Sequence, residues 1–302
     1  MPEIIGHKEI VEDLKKLGSE QKLSHGYIFF GSSMVGKRTV AQALAKFLEK
    51  QEFAPWTEGE AMHDAKVIDL EFAKYLDPNI KNSVGIDAVR EIKNFLFQKP
   101  NTSSRRTAII DECEMLTTEA QNALLKITEE PPPSSLLILA TNDLDALLPT
   151  ISSRLQKIYF GTVSEKVIAA WLAEEHGIAK KTAEESAKKA HGKPGLALRL
   201  LKDEDLKEAR ASAEKLFKLI PDKRRDFVKK LLEDEGFNFG KLLDAMILYV
   251  AANRRPFDVA QGSFSLSNSE KEKIAQWHKF LALRQNVANY NLNPKLQLEA
   301  LL

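Results

Sequence analysis

Up to about residue 160, short runs of apolar residues alternate with segments in which apolar positions recur every three or four residues. The runs are 27–30, 67–70, 107–111, 136–141 and 157–160. Three of them are nearly continuous in apolar side chains, the pattern of strands buried on both faces of a parallel sheet. Between them, Val40, Leu44, Phe47 and Leu48 make one helical stripe, Val89, Ile92 and Leu96 a second, and Ala120, Leu124 and Ile127 a third. Thr117 or Thr118 can cap the third helix, and Pro131 to Pro133 end it. Alternation of this kind predicts a doubly wound α/β layer structure.

After Phe160 the strand signal stops. Ser164 caps a helix carrying Val167, Ile168, Trp171 and Leu172, and Gly177 follows it. A second helical pattern runs to His191, Gly192-Lys193-Pro194-Gly195 breaks it, and a third leads to Asp203–Asp205. Beyond that the chain reads as helix, over 207–219, 227–235, 239–253 and 269–288, with a polar loop at 254–268 expected to be disordered. The pattern therefore divides into an α/β domain at 1–162, a small helical domain at 163–204 and an all-α domain at 205–302.

Composition changes this picture little. Of the 302 residues, 43% are hydrophobic and 29% charged, ordinary for a globular protein. A net charge of +1 gives no strong overall field for nucleic acid. Lys223-Arg224-Arg225 reads as a solvated helix face rather than a DNA patch. The single cysteine, Cys113, excludes an internal disulfide and a multi-cysteine zinc site. His7, His25, His63, His176, His191 and His278 show no metal-ligand spacing, and Trp171 and Trp277 fall in apolar stripes expected in the core. The longest apolar runs, 27–30, 136–140 and 245–252, are far below the roughly 20 residues of a membrane span. With Glu3, His7 and Glu9 near the start and no signal-type stretch, a cytoplasmic location is expected.

The chemistry concentrates after the runs. Gly31-Ser32-Ser33-Met34-Val35-Gly36-Lys37-Arg38-Thr39 is G-x4-G-K between a strand and a helix. Gly31 and Gly36 let backbone N–H groups turn inward around phosphate oxygens, the helix N-terminus adds partial positive charge, and Lys37 reaches the β and γ phosphates. Position 38 should carry a hydroxyl for Mg²⁺. Arg38 has five donors and no lone pair for a cation. Thr39, about 100° further round the helix, is expected to aim elsewhere. Asp111 and Glu112 close the third run, where they suit metal positioning and water activation. Thr141-Asn142 closes the fourth, either as a sensor of the γ-phosphate or as an ordinary strand-end turn. Arg154, in Ser152-Ser153-Arg154, is a solvated charge or an arginine finger for a neighbouring subunit's site.

With these elements in this order the chain resembles the bacterial clamp-loader family of AAA+ ATPases, and within it the delta-prime type. The residues that carry the resemblance include Ile5-Gly6-His7, Leu23-Ser24-His25-Gly26-Tyr27 and Val84-Gly85-Ile86-Asp87. More specific are Ile110-Asp111-Glu112-Cys113-Glu114, Ala120-Gln121-Asn122-Ala123-Leu124-Leu125-Lys126, Glu129-Glu130-Pro131-Pro132 and Leu148-Pro149-Thr150-Ile151-Ser152-Ser153-Arg154. The resemblance is strong over 1–200 and weak beyond 205, where Asn293-Pro294-Lys295-Leu296 carries it. It implies an AAA+ domain, a lid and a collar that joins the chain to motor (gamma/tau-like) and delta-like loader subunits. It also implies work on a sliding clamp and primer-template DNA through that complex. Many relatives carry a four-cysteine zinc module between the P-loop helix and the second strand. Residues 50–65 here hold no cysteine, so no zinc is expected. The lid arginine of motor subunits aligns with Gly195, with Arg199 a turn later, and Leu155 replaces the usual cysteine after the finger. Arg38 and Gly195 together imply a weak or silent site for ATP or ADP, Mg²⁺ in question, and an Arg154 that acts in trans.

Overall fold

The computed structural model describes residues 4–57, 59–80 and 83–219, and single positions between 223 and 246. In order, its elements are α1 (Lys8–Ser19), β1 (Gly26–Phe30), α2 (Lys37–Lys50), β2 (Ala65–Ile68), α3 (Leu70–Leu76), α4 (Ile86–Leu96) and β3 (Arg106–Ile110). A 3₁₀ turn (Cys113–Met115), α5 (Thr118–Glu129), β4 (Ser135–Thr141), a second 3₁₀ turn (Leu144–Ala146), α6 (Pro149–Ser152) and β5 (Gln156–Tyr159) follow. Then come α7 (Glu165–Glu174), α8 (Lys180–Ala190), α9 (Pro194–Lys202) and α10 (Glu204–Lys218). None of the described helices is long and apolar enough to cross a membrane.

The five strands form one parallel sheet in the order β2-β3-β4-β1-β5. Every residue of β3 and β4 is buried, as is β1 except at Phe30. That is why these runs are apolar at consecutive positions rather than at alternate ones. One core layer, built on Ile28, Ile110, Leu137 and Leu139, packs under α4 and α5. The other, built on Phe29, Ile109, Leu136 and Ile138, packs under α1 and α2. The sheet's carboxyl edge thus has a rigid base, with helices on both faces.

Particular boundaries differ from the sequence pattern. Run 67–70 was expected to be strand throughout, but Leu70 opens α3, because Asp69 Oδ1 accepts the Phe72 backbone N–H at 2.9 Å and caps the helix. Thr117, not Thr118, caps α5, through the Ala120 N–H. The expected break between the second and third helical patterns falls at 191–193, and Pro194 starts α9, a position where its missing N–H costs nothing. Helices α1 and α3 lie outside the stripes read from the sequence.

The chain divides into two compact units, Met1–Leu198 and Arg199–Leu302. The first holds the sheet and also α7 and α8. In the second, Ala209, Ala213 and Leu216 of α10 are buried, and Lys241 pairs with Asp203 at 2.9 Å. The expected helices at 227–235, 239–253 and 269–288, the 254–268 loop, Trp277, His278 and the 293–299 motif lie wholly or largely outside the described residues, as do Arg224 and Arg225.

Residues 51–64, where no cysteine occurs, are tied down by charge. Glu60 accepts from Lys50 Nζ at 2.7 Å, Lys46 Nζ at 3.2 Å and the Thr57 N–H at 3.0 Å. Lys46 is itself buried, and Trp56 Nε1 donates to the Gln42 carbonyl at 2.8 Å. The Lys50 hydrogen bond first, then the Thr57 N–H and Lys46, hold the Glu60 carboxyl at about 2. A carboxylate held low stabilises the fold above its unfolded value near 4.5, and that contribution disappears as pH falls towards about 2. Glu60→Gln should therefore melt below wild type at neutral pH, with the gap narrowing as pH falls below 4.5. Parallel thermal melts across pH 3 to 7, roughly the carboxylate titration range, check this. A gap that stays constant with pH would show that the charge of Glu60 is not what holds the segment.

Candidate functional site

Phe30 ends β1, and the chain must turn at once to enter α2. Gly31 makes the turn with φ +139°, and a Cβ there would lie 2.3 Å from the Phe160 carbonyl oxygen. Only glycine fits. Gly36, with φ +111°, delivers the chain into the first turn of α2. The N–H groups of that turn have no helical partner and face the loop, which makes an anion cradle. From the N-terminal side, His7 Nε2 lies 3.0 Å from the Val35 carbonyl and braces the loop.

Lys37 is buried, and its Nζ donates to the carbonyls of Gly31 (2.8 Å) and Ser32 (2.7 Å) and to Asn142 Oδ1 (2.9 Å). Burial lowers its pKa, against the charges of Glu114 and Asp111. Asn142 is held in turn by Glu114, whose carboxylate accepts from its side-chain amide and, at 3.3 Å, from its backbone N–H. The Thr141 hydroxyl lies 2.9 Å from Glu114 Oε2 and is itself buried. Of the Thr141-Asn142 pair, then, Asn142 reaches the phosphate loop and Thr141 is turned to Glu114.

Arg38 carries the departure that the sequence announces. Its Nη1 donates to Asp69 Oδ2 at 2.8 Å and to Asp111 Oδ2 at 3.3 Å. Burial opposes its charge, but the hydrogen bond and charge of Asp69 and the charge of Asp111 outweigh that and raise its pKa. Burial raises the Asp111 pKa, with Arg38 and the Glu112 N–H acting the other way. Asp111 Oδ1 accepts that N–H at 3.0 Å, and Glu112 follows with φ +50°. Cys113 is fully buried, so burial pushes its thiol up, and it takes no part in the site.

These groups line a cleft of about 750 Å³. Lys37, Arg38, Thr39, Asp111, Glu112 and Asn142 form its polar wall, and Ile4, Ile5, Trp171 and Leu198 its apolar one. Polyphosphate on the first and a base on the second is the ligand that such a cleft accommodates. Thr39 lines the cleft at the first turn of α2. One expectation changes here. Trp171, expected in the core, is half-buried and meets His176 edge-on at 4.6 Å, since α7 presents this side to the cleft.

Helix α9 closes over the loop. The Gly195 N–H donates to the Met34 carbonyl at 3.0 Å, and a Cβ at 195 would sit 3.2 Å from Met34 Cβ. Lys193, its pKa lowered by burial, adds positive charge near Lys37. Arg154 lies outside the cleft lining, after α6, where its guanidinium donates to the Thr150 carbonyl and pairs with Glu129 at 2.9 Å.

A nucleotide fits the cradle, Lys37 and the two walls. A divalent cation does not fit: the oxygens of Asp69 and Asp111 that face the loop are taken by Arg38, and no hydroxyl stands at position 38. Among the described residues no cluster of three or more His, Cys, Asp or Glu is arranged to hold a metal. Asp69 is the site residue that the sequence pattern does not single out, and Glu114 and Lys193 stand in it without an assigned role. The acid residues follow strand ends, which is the one signal that could have found them.

Residues 6–164 match the model of a family described as DNA polymerase III, delta subunit. The DNA polymerase III subunit gamma/tau of Mycobacterium bovis is 31% identical over 190 residues, covering 58% of this chain and 32% of the relative. Subunit tau of Bacillus subtilis is 30% identical over 168 residues, covering 55% and 30%. The chain thus spans about a third of the length of these curated relatives. A DNA polymerase III gamma subunit-related protein from Thermotoga maritima shares the fold, with a TM-score of 0.56 at 23% identity over 96% of each chain.

Glu114→Ala should remove the bonds that hold Thr141 and Asn142 and cost about 1–3 kcal/mol of stability. Urea unfolding midpoints measure this. A loss below about 0.5 kcal/mol would show that the strand-end loop does not depend on Glu114.

Proposed function

The chain belongs to the DNA polymerase III delta-subunit family of AAA+ clamp loaders, and from that premise we propose that it is a delta-prime-like subunit whose own P-loop does not hydrolyse ATP. In this role it assembles with motor and delta-like subunits, contributes to loading a sliding clamp onto primer-template DNA, and presents Arg154 to the ATP site of an adjacent motor subunit. The three-domain division at 1–162, 163–204 and 205–302 belongs to the same proposal, with the last domain as the oligomerising collar.

One observation carries the reading: Arg38 is bonded to both Asp69 and Asp111. Metal-assisted phosphoryl transfer needs a cation that bridges the phosphates and is held by the hydroxyl after the P-loop lysine and by the strand-end aspartate. Arg38 removes the first and occupies the second. Glu112 then has no metal-polarised phosphate to work with. In support of Arg154, its partner Glu129 is half exposed, and exposed ion pairs are worth about 0–1 kcal/mol. Exchange of Glu129 for a partner's phosphate is therefore energetically cheap.

A motor role is the second reading, favoured by gamma/tau relatives at about 30% identity. Steady Mg²⁺-dependent ATP turnover by the purified chain, abolished by Lys37→Ala, would establish it in place of the first. Under the first reading, reconstitution with motor subunits gives complexes of normal assembly for Arg154→Ala. Their clamp- and DNA-stimulated ATPase falls, by roughly 10³-fold at the one interface site and more modestly in bulk. Unchanged single-site turnover at that interface would remove the finger role.

A further inference from the structure

The register of β2 and β3 sets Ile68 opposite Ile110, so the next residues, Asp69 and Asp111, stand side by side at the carboxyl edge. The Asp111 N–H donates to the Ile68 carbonyl at 2.9 Å and continues the ladder to that point. Two adjacent, largely buried carboxylates repel, and both stay ionised only with a cation between them. Arg38 supplies it from within the chain.

We propose that Arg38 stands permanently in the place of the divalent metal, so that this cleft binds nucleoside di- or triphosphate in its metal-free form. The inference rests on the reading of the P-loop as a nucleotide site that does not turn over. Among the described residues, the hydrogen bonds of Arg38 run through Nη1 alone, which leaves the donors of Nη2 and Nε without a bonded partner. The Arg38 side chain is 42% exposed, against 16% and 17% for the two aspartates, so its outer nitrogens are open to the cleft that Lys37 and Asn142 also line. A guanidinium with one nitrogen on carboxylate and the others free is matched in geometry to phosphate oxygens. It brings one positive charge where a metal would bring two. Binding is accordingly modest, and the diphosphate should bind no more weakly than the triphosphate.

The metal-free preference gives a sign that ordinary P-loop sites do not show. Mg²⁺ complexes free ADP and ATP in solution and so competes with Arg38 for the same phosphate oxygens. The test is calorimetric titration of the full-length chain with ADP and with ATP, in excess Mg²⁺ and in EDTA. The expected result is binding in EDTA at least as tight as in Mg²⁺. Arg38→Ser restores the hydroxyl and frees both aspartates, and its binding should become tighter in Mg²⁺ by about tenfold or more. Arg38→Lys keeps a positive charge on Asp69 and Asp111 and should keep the wild-type sign. If circular dichroism shows Arg38→Ser unfolded, wild type and Arg38→Lys still decide the question.

Wild-type binding about tenfold tighter in Mg²⁺ overturns the inference, as does an absence of binding in both buffers. Neither result touches the Arg154 measurement in the reconstituted complex. Loss of the Arg154 effect, conversely, leaves metal-free binding intact. Mg²⁺-dependent hydrolysis by the isolated chain defeats both.

Discussion

Two parallel strands in register end in aspartates, and one guanidinium holds both. Asp69 is committed twice, since its other oxygen caps α3. Asp111 is committed twice as well, since its other oxygen accepts the Glu112 N–H. The pair therefore fixes where α3 begins, how the chain leaves β3, and which face the first turn of α2 presents. A neutral residue at position 38 would leave two neighbouring carboxylates without a counter-charge. They would then take a proton, a solvent cation or a new conformation. Arg38 supplies that counter-charge from within the chain.

The rest of the site is built outward from that edge by groups fixed in pairs. Gly31 lies against Phe160, so the phosphate loop cannot shift without moving the residue that follows β5. Lys37 is tied to β4 through Asn142, and Asn142 to the turn after β3 through Glu114. Gly195 ties α9 to the same loop through Met34. Three strand ends and two helix starts thus meet at the phosphate loop. A ligand phosphate that draws Lys37 Nζ away from the Gly31 and Ser32 carbonyls is felt at Asn142 and Glu114.

Much of this was legible in the residues. Buried parallel strands declare themselves by unbroken apolar runs, and all five were placed within about two residues, the usual error at element ends. The P-loop glycines, Lys37, Asp111 and the anomaly of Arg38 follow from a local motif, because their geometry is set within a strand-turn-helix. What escaped depends on register and packing between distant segments. Asp69 falls inside an apolar run that reads as strand, whereas its side chain caps a helix. Glu114 read as one acid among several. Trp171 sat in an apolar stripe, but a stripe says that one face is covered, not whether a protein core or a cleft covers it. The charge staple of Glu60 with Lys46 and Lys50 has no periodic signature at all.

The two arginines of the proposed function can be ranked by how firmly each is held. Arg154 pairs with one carboxylate that is 49% exposed, and its own side chain is 36% exposed. Solvent screens such a pair and side-chain entropy opposes it, so beyond a hydrogen bond to the Thr150 carbonyl little holds the guanidinium in place. Arg38 faces two carboxylates that are each less than a fifth exposed, and withdrawing it would strand both. Breaking one partner out of a buried charge cluster is far more costly than forming the cluster is rewarding. The asymmetry separates their roles on physical grounds. Arg38 is held on two sides and bears on what enters its own cleft, whereas the exposed pair of Arg154 with Glu129 leaves the proposed exchange for a partner's phosphate energetically cheap.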